Sequence, residues 1–127
     1  MTSKRHTSHY DIRFRDLDLM GHVNNAVYAT YLEQARIDYF NSLLNISLGD
    51  ANTVIVHIEI DYIKSLKLGD TVDVSITPIS VGNSSLTLDY ILNSGSNKIA
   101  TARTVQVLLD SDGVPTKIPD QWREKLI

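Results

Sequence analysis

Two periods of apolar and polar residues run along the chain, and the switches between them divide it into elements. Tyr10, Ile12 and Phe14 alternate with Asp11, Arg13 and Arg15, the period of a half-buried strand. The alternation stops at Asp16. From Asn24 or Asn25 to about Leu44 there is no Gly or Pro and apolar residues recur at helical spacing, which predicts one helix of roughly 18 to 20 residues. Apolar or aromatic side chains occupy most of its circumference, leaving a narrow polar stripe of Thr30, Glu33, Gln34, Asp38 and Asn41. Such a helix must be covered on most sides.

Beyond Asn52 the period is two. Val54, Val56, Ile58, Ile60 and Tyr62 are predicted to line one face of a strand, with Ile55, His57, Glu59, Asp61 and Ile63 on the other. Val72 to Ile76 (running towards Pro78), Leu86 to Leu92, and Lys98 to Leu109 give three more strands. They are separated by the turn sequences Leu68-Gly69-Asp70, Gly82-Asn83-Ser84 and Asn93-Ser94-Gly95-Ser96-Asn97. Asp110-Ser111-Asp112-Gly113 turns the chain again, and a short last helix is predicted from Pro119 or Asp120 to about Leu126. One covered helix with about five antiparallel strands predicts an α+β fold whose sheet curls around the helix, with residues 1–127 forming one domain.

Composition narrows the chemistry. The 127 residues include no Cys, so thiol nucleophiles, thiolate metal sites and redox switches are excluded. A net charge of −3 creates no global attraction to nucleic acid. No stretch approaches the roughly 18 apolar residues of a membrane span, and no apolar run follows Lys4 and Arg5 as a secretory signal requires, so a cytoplasmic location is expected. The G-x-S-x-G, P-loop, G-x-G-x-x-G and H-E-x-x-H patterns are all missing. His57-Ile58-Glu59 matches half of a zinc deaminase signature, but the Cys pair it needs does not exist here. No metal or cofactor is expected.

The junction from Asp16 to Tyr28 holds two carboxylates, a Gly, a His and two Asn at the entry to the apolar helix. Unpaired N–H groups at a helix start suit an oxyanion developing on a carbonyl under attack, and a carboxylate just upstream can attack that carbonyl or deprotonate a water. Asp and Asn before a helix also serve simply as caps.

These residues resemble a known family. Asp16-Leu17-Asp18-Leu19-Met20-Gly21-His22-Val23-Asn24-Asn25, followed by Tyr28, Tyr31, Glu33 and Arg36, is similar to the D-x-D-x-x-G-H-V-N-N…Y-x-x-Y-x-E-x-x-R pattern of hotdog-fold acyl-CoA thioesterases of the 4-hydroxybenzoyl-CoA thioesterase type. Downstream, Ile60-Asp61-Tyr62-Ile63-Lys64-Ser65-Leu66-Lys67-Leu68-Gly69-Asp70 resembles the family's D-Y-x-x-P-x-x-x-G-D block, with Ser65 in place of its common Pro. The resemblance spans about residues 8 to 110. It implies a long central helix wrapped by an antiparallel sheet, and hydrolysis of an acyl-CoA to a free acid and CoA.

Carried over residue by residue, Asp18 matches the nucleophile or general base and Asn25 the residue whose backbone N–H forms the oxyanion hole. Asp16 matches a structural, turn-forming position. His22 is a substrate-pocket candidate or a residue tying down the turn, and Tyr28 an acyl-pocket wall or a core filler. Thr53 falls near where a dimer partner approaches the acyl carbonyl. Lys64, Lys67 and Arg103 are candidates for the CoA phosphates, whereas Glu33 and Arg36 are spaced to pair with each other. The resemblance further implies a homodimer or homotetramer with sites between protomers. The alternatives are a non-catalytic module that binds acyl-CoA or acyl carrier protein, and an acyl-carrier-protein thioesterase.

Overall fold

The computed structural model describes residues 5–45 and 52–126. Strand β1 (His6–Asp11) leads into a single turn of 3-10 helix at Phe14–Asp16, then a loop, then helix α1 (Val27–Tyr39), which continues as a π turn over Phe40–Leu44. Strands β2 (Thr53–Tyr62), β3 (Thr71–Val81), β4 (Ser85–Ser94) and β5 (Asn97–Leu108) follow, and helix α2 (Asp120–Leu126) closes the described chain. All pairings are antiparallel, in the order β1-β3-β4-β5-β2. The result is a curved five-stranded sheet with one long helix, the hotdog fold. No helix among the described residues is long and apolar enough to cross a membrane.

The helix is held because its apolar sides meet the inner face of the sheet. Tyr28, Tyr31, Leu32, Ala35 and Tyr39 are buried with Val72, Val74, Ile76, Leu88, Tyr90 and Leu92. Helix α1 lies over β1 and β3, so the inner face of β2 is left uncovered at Ile55, Ile58 and Tyr62. Asn45 ends the helical stretch in the left-handed conformation (φ 55°), with its N–H bonded to the Phe40 carbonyl, a stop that Asn tolerates well. Helix α2 packs on the end of β3 and the π turn, where Trp122 meets Phe40 and Arg123 donates to the Val81 and Gly82 carbonyls at 3.2 and 3.0 Å.

Three expectations are corrected. Phe14 does not continue the first strand; it is 80% exposed, because the buried Asp16 carboxylate accepts the Arg13 N–H at 2.9 Å and bends the chain into the 3-10 turn. The helix begins at Val27 rather than at Asn24 or Asn25, since the Asn24 side chain takes the Ala26 N–H at 2.9 Å and holds residues 24–26 as a turn. In β2 the alternation breaks at a bulge between Ile55 and His57. Val54 therefore shares the outer face with His57, Glu59 and Asp61, while Ile55 joins Ile58, Ile60 and Tyr62 on the inner one.

Candidate functional site

The site is built on the loop between the 3-10 turn and α1. Leu17 and Val23 pair across a tight hairpin in which the Asp18 N–H donates to the His22 carbonyl at 2.7 Å and the Gly21 N–H to the Asp18 carbonyl at 3.1 Å. Gly21 carries a φ of 82°, which a side chain would strain. Three outside contacts pin the hairpin: the Asn24 N–H to the Asp16 carbonyl (2.8 Å), the Val23 N–H to the buried Leu66 carbonyl (2.7 Å), and a bridge between His22 and Lys67.

Asp16 anchors this arrangement from below. It is 1% exposed and accepts Arg13 Nη2 at 3.0 Å and Tyr31 Oη at 2.9 Å besides the Arg13 N–H. Burial pushes its carboxyl up, but the hydrogen bonds and charge from Arg13 and the Tyr31 hydroxyl outweigh burial and hold it below the usual carboxylate value. The same arrangement, burial first and then Asp16, pushes the Tyr31 hydroxyl well above its ordinary value.

Asp18 is exposed and its carboxylate is oriented by its own loop. Oδ1 accepts the Met20 N–H at 2.9 Å and the His22 N–H at 3.2 Å, whereas Oδ2 has no hydrogen-bond donor among the described residues. The turn ahead of α1 leaves a complementary group. Ala26 donates to Asn24 Oδ1 and Val27 to the Asn24 carbonyl, so the Asn25 N–H alone of this series has no acceptor among the described residues. Its carbonyl is fixed instead: Tyr62 Oη, at the end of β2, donates to it at 2.9 Å. The Tyr62 ring stands edge-on to Tyr28 at 5.0 Å and 89°, and burial pushes the Tyr28 hydroxyl above its ordinary value.

A cleft of about 250 Å³ brings these groups together. Asp18, His22, Asn25, Tyr28 and Lys64 all line it, beside Tyr62 and Ser65. Lys64 Nζ donates to Asn97 Oδ1 at 3.1 Å, and His22 sits exposed on the rim. Thr53 does not line the cleft: it is nine residues from Tyr62 at the opposite end of β2, where its Oγ1 accepts Gln106 Nε2 at 3.1 Å. Arg103 lies on the outer face, held through two bonds of 2.6 and 2.9 Å by Asp89. Arg36 turns away from Glu33 and donates to Tyr90 Oη at 3.3 Å, so the pairing expected from their spacing does not form. Tyr62 is the site residue that periodicity alone does not distinguish; its signal is the Asp61-Tyr62 dipeptide of the second motif. Among the described residues no group of three or more His, Asp and Glu side chains converges as a metal cage.

The fold and the helix-entry loop define a hotdog thioesterase. A family model of the thioesterase-like superfamily matches residues 12–126, and the chain belongs to that family, a family of thioester hydrolases. A thioesterase from Thermus thermophilus, solved in complex with coenzyme A and Zn, superposes with a TM-score of 0.87 at 37% identity, covering 94% of this chain and 90% of that one. Uncharacterized protein YsmA of Bacillus subtilis (strain 168) is 32% identical over 119 residues, 91% of this chain and 81% of its own length. The 1,4-dihydroxy-2-naphthoyl-CoA hydrolase of Synechococcus elongatus is 30% identical over 106 residues, 79% of this chain and 78% of that protein.

Proposed function

We propose that this chain hydrolyses acyl-CoA thioesters to a free carboxylic acid and CoA in the cleft between the loop ahead of α1 and the end of β2. One observation carries the reading: an unpartnered carboxylate oxygen, Asp18 Oδ2, and an unpartnered backbone donor, the Asn25 N–H, border the same cleft. A thioester carbonyl placed against the Asn25 N–H meets a fixed donor as its oxygen becomes negative. Asp18 then acts by one of two routes. As a base, it takes a proton from water while the water oxygen bonds to the carbonyl carbon; the C–S bond breaks, sulfur leaves with the electron pair, and the proton passes on to give the free thiol. As a nucleophile, Oδ2 bonds to the carbonyl carbon, the thiolate leaves, and water cleaves the resulting anhydride.

In this reading Lys64 faces the CoA phosphates, Tyr28 walls the pocket and His22 closes its rim, with no step routed through a metal or cofactor. The test is release of free thiol from a panel of acyl-CoAs, run beside the matching acyl carrier proteins. Turnover with CoA substrates is expected. Tight acyl-CoA binding without thiol release identifies a binding module instead, and a strong preference for the carrier-protein panel reassigns the substrate.

We also propose that the protein works in the cytoplasm as a homodimer, or as a homotetramer made of two such dimers, joined along β2. Among the described residues this strand pairs only with β5, and its outer edge exposes Val54, Val56 and Ile58, an arrangement that monomeric proteins usually block with charge. Antiparallel pairing of two β2 strands along their full length sets Thr53 of one copy opposite Tyr62 of the other, which gives Thr53 its place beside the neighbouring cleft. Val56→Lys is expected to halve the mass measured by light scattering and to lower turnover on the order of 100-fold, the size of effect that misplacing a remote group produces.

A further inference from the structure

Glu33 and Arg36, the last two residues of the helix-entry motif, do not line the cleft, and they do not pair with each other within α1. Glu33 is exposed and has neither a hydrogen bond nor an ion pair among the described residues. Arg36 is half-buried, and its one hydrogen bond there goes to a neutral group, the Tyr90 hydroxyl, which is itself bonded to Thr104 Oγ1 at 2.6 Å. No carboxylate stands within ion-pair distance of Arg36 among the described residues. A guanidinium drawn partly out of water loses hydration that an anion restores best.

The strand register fixes where this guanidinium stands. Thr104 of β5 pairs with Ile58 of β2, so the chain of bonds from Arg36 through Tyr90 to Thr104 ends level with the middle of the ten-residue strand β2. Full-length antiparallel pairing of two β2 strands sets His57 of one copy opposite Ile58 of the other, and the two-fold axis passes between them. Arg36 is therefore level with that axis. The cover given by α1 stops one strand short of it: Ala100, Thr104 and Gln106 of β5 are buried, whereas Ile55 and Ile58 of β2 are exposed. The flank of α1 that borders this gap carries Ala29, Glu33, Arg36 and Phe40, spaced three and four apart.

We propose that a second copy of the chain closes this gap, with Glu33 of each protomer paired to Arg36 of the other across the two-fold axis; the inference rests on the β2-joined assembly proposed above. In that arrangement the two Arg36 side chains alone would meet near the axis as like charges. Glu33 stands just under one turn away on the same flank, about 4.5 Å along α1, so each carboxylate comes within reach of the opposite guanidinium. Two carboxylates and two guanidiniums make the surface self-complementary, as a two-fold interface requires. Ile55 and Ile58 of both copies are then shielded from water by the two helices.

The test is the dissociation constant of the assembly, read by sedimentation on dilution, for the wild-type chain, for Glu33→Arg, for Arg36→Glu, and for an equimolar mixture of the two variants. Each variant alone sets like charges opposite each other twice per dimer, so its assembly should weaken at least tenfold. The mixture restores both pairs, because a doubly positive flank then meets a doubly negative one, and a mixed dimer about as tight as the wild type is expected. That rescue needs both variants folded, and no contact within one chain reproduces it. A wild-type dimer that resists both reversals overturns the inference and leaves the β2-joined reading standing. So does a mixture that stays as weak as its components, or weakening by only one of the two variants, because the unpaired group then meets something other than its counterpart. A wild-type chain that is monomeric at every concentration, or whose dimer survives Val56→Lys, overturns the β2-joined reading and this inference with it.

Discussion

Replacing Asp18 by Asn is expected to lower kcat/KM toward acyl-CoA on the order of 100- to 10,000-fold while leaving the fold and acyl-CoA binding in place. The two oxygens of Asp18 are separable. Oδ1 organises the hairpin by accepting the Met20 and His22 N–H groups, and an Asn side-chain oxygen does the same. Oδ2 has no structural duty, so converting it to an amide nitrogen removes only the base or nucleophile. The measurement is steady-state turnover across the acyl panel together with a melting curve. Unchanged kcat/KM in a folded variant would remove Asp18 from the mechanism. Asp18→Ala serves as a contrast, since it also deletes the hairpin acceptor and should loosen the loop.

The second large effect concerns stability. Asp16→Ala is expected to cost roughly 2–4 kcal/mol in urea unfolding, because it leaves the Tyr31 hydroxyl and the Arg13 N–H without the charged acceptor that both now have. The Arg13 guanidinium is more than half exposed and screened by solvent, so its ion pair adds little. The pH dependence has a definite sign. The Asp16 carboxyl is held below its ordinary value in the fold, so the unfolded chain binds the proton more readily. Its stabilisation is fully present above the ordinary carboxylate value of about 3.9 and is lost as pH falls through the folded value. The stability gap between wild type and Asp16→Asn should accordingly shrink as pH drops below about 4.

How much of this is legible in the sequence depends on the kind of interaction involved. Strands β3, β4 and β5 keep their alternating buried positions Val72 to Ile76, Leu86 to Leu92 and Ala100 to Leu108 because these pack against α1 or neighbouring strands, and their own register shifts fall beyond them, between Pro78 and Ser80 and between Leu92 and Asn93. The edge strand β2 has no such enforcement. Its bulge at Val56 is a mismatch with β5, a property of two strands that no single run of residues displays. Phe14 departs from the expected strand for a similar reason: the bend at Asp16 comes from a carboxylate reaching back to Arg13 and across to Tyr31, fifteen residues on. Of the residues singled out in the sequence, Asp18, His22, Asn25, Tyr28 and Lys64 meet at one cleft because the two motif blocks flank it, one entering α1 and one leaving β2. Thr53 lies at the far end of β2, and its proposed place depends on a second chain.

Tyr62 makes those two blocks mechanically one. It is the last residue of β2, and its hydroxyl holds the carbonyl of the residue whose N–H is the free donor at the helix entry. A strand with an open edge is therefore tethered to the start of α1 through a single hydrogen bond. In the function proposed above, a second copy docking along that edge and shifting β2 would also shift the donor, so the proposed assembly and the alignment of the proposed reacting carbonyl share one mechanical link.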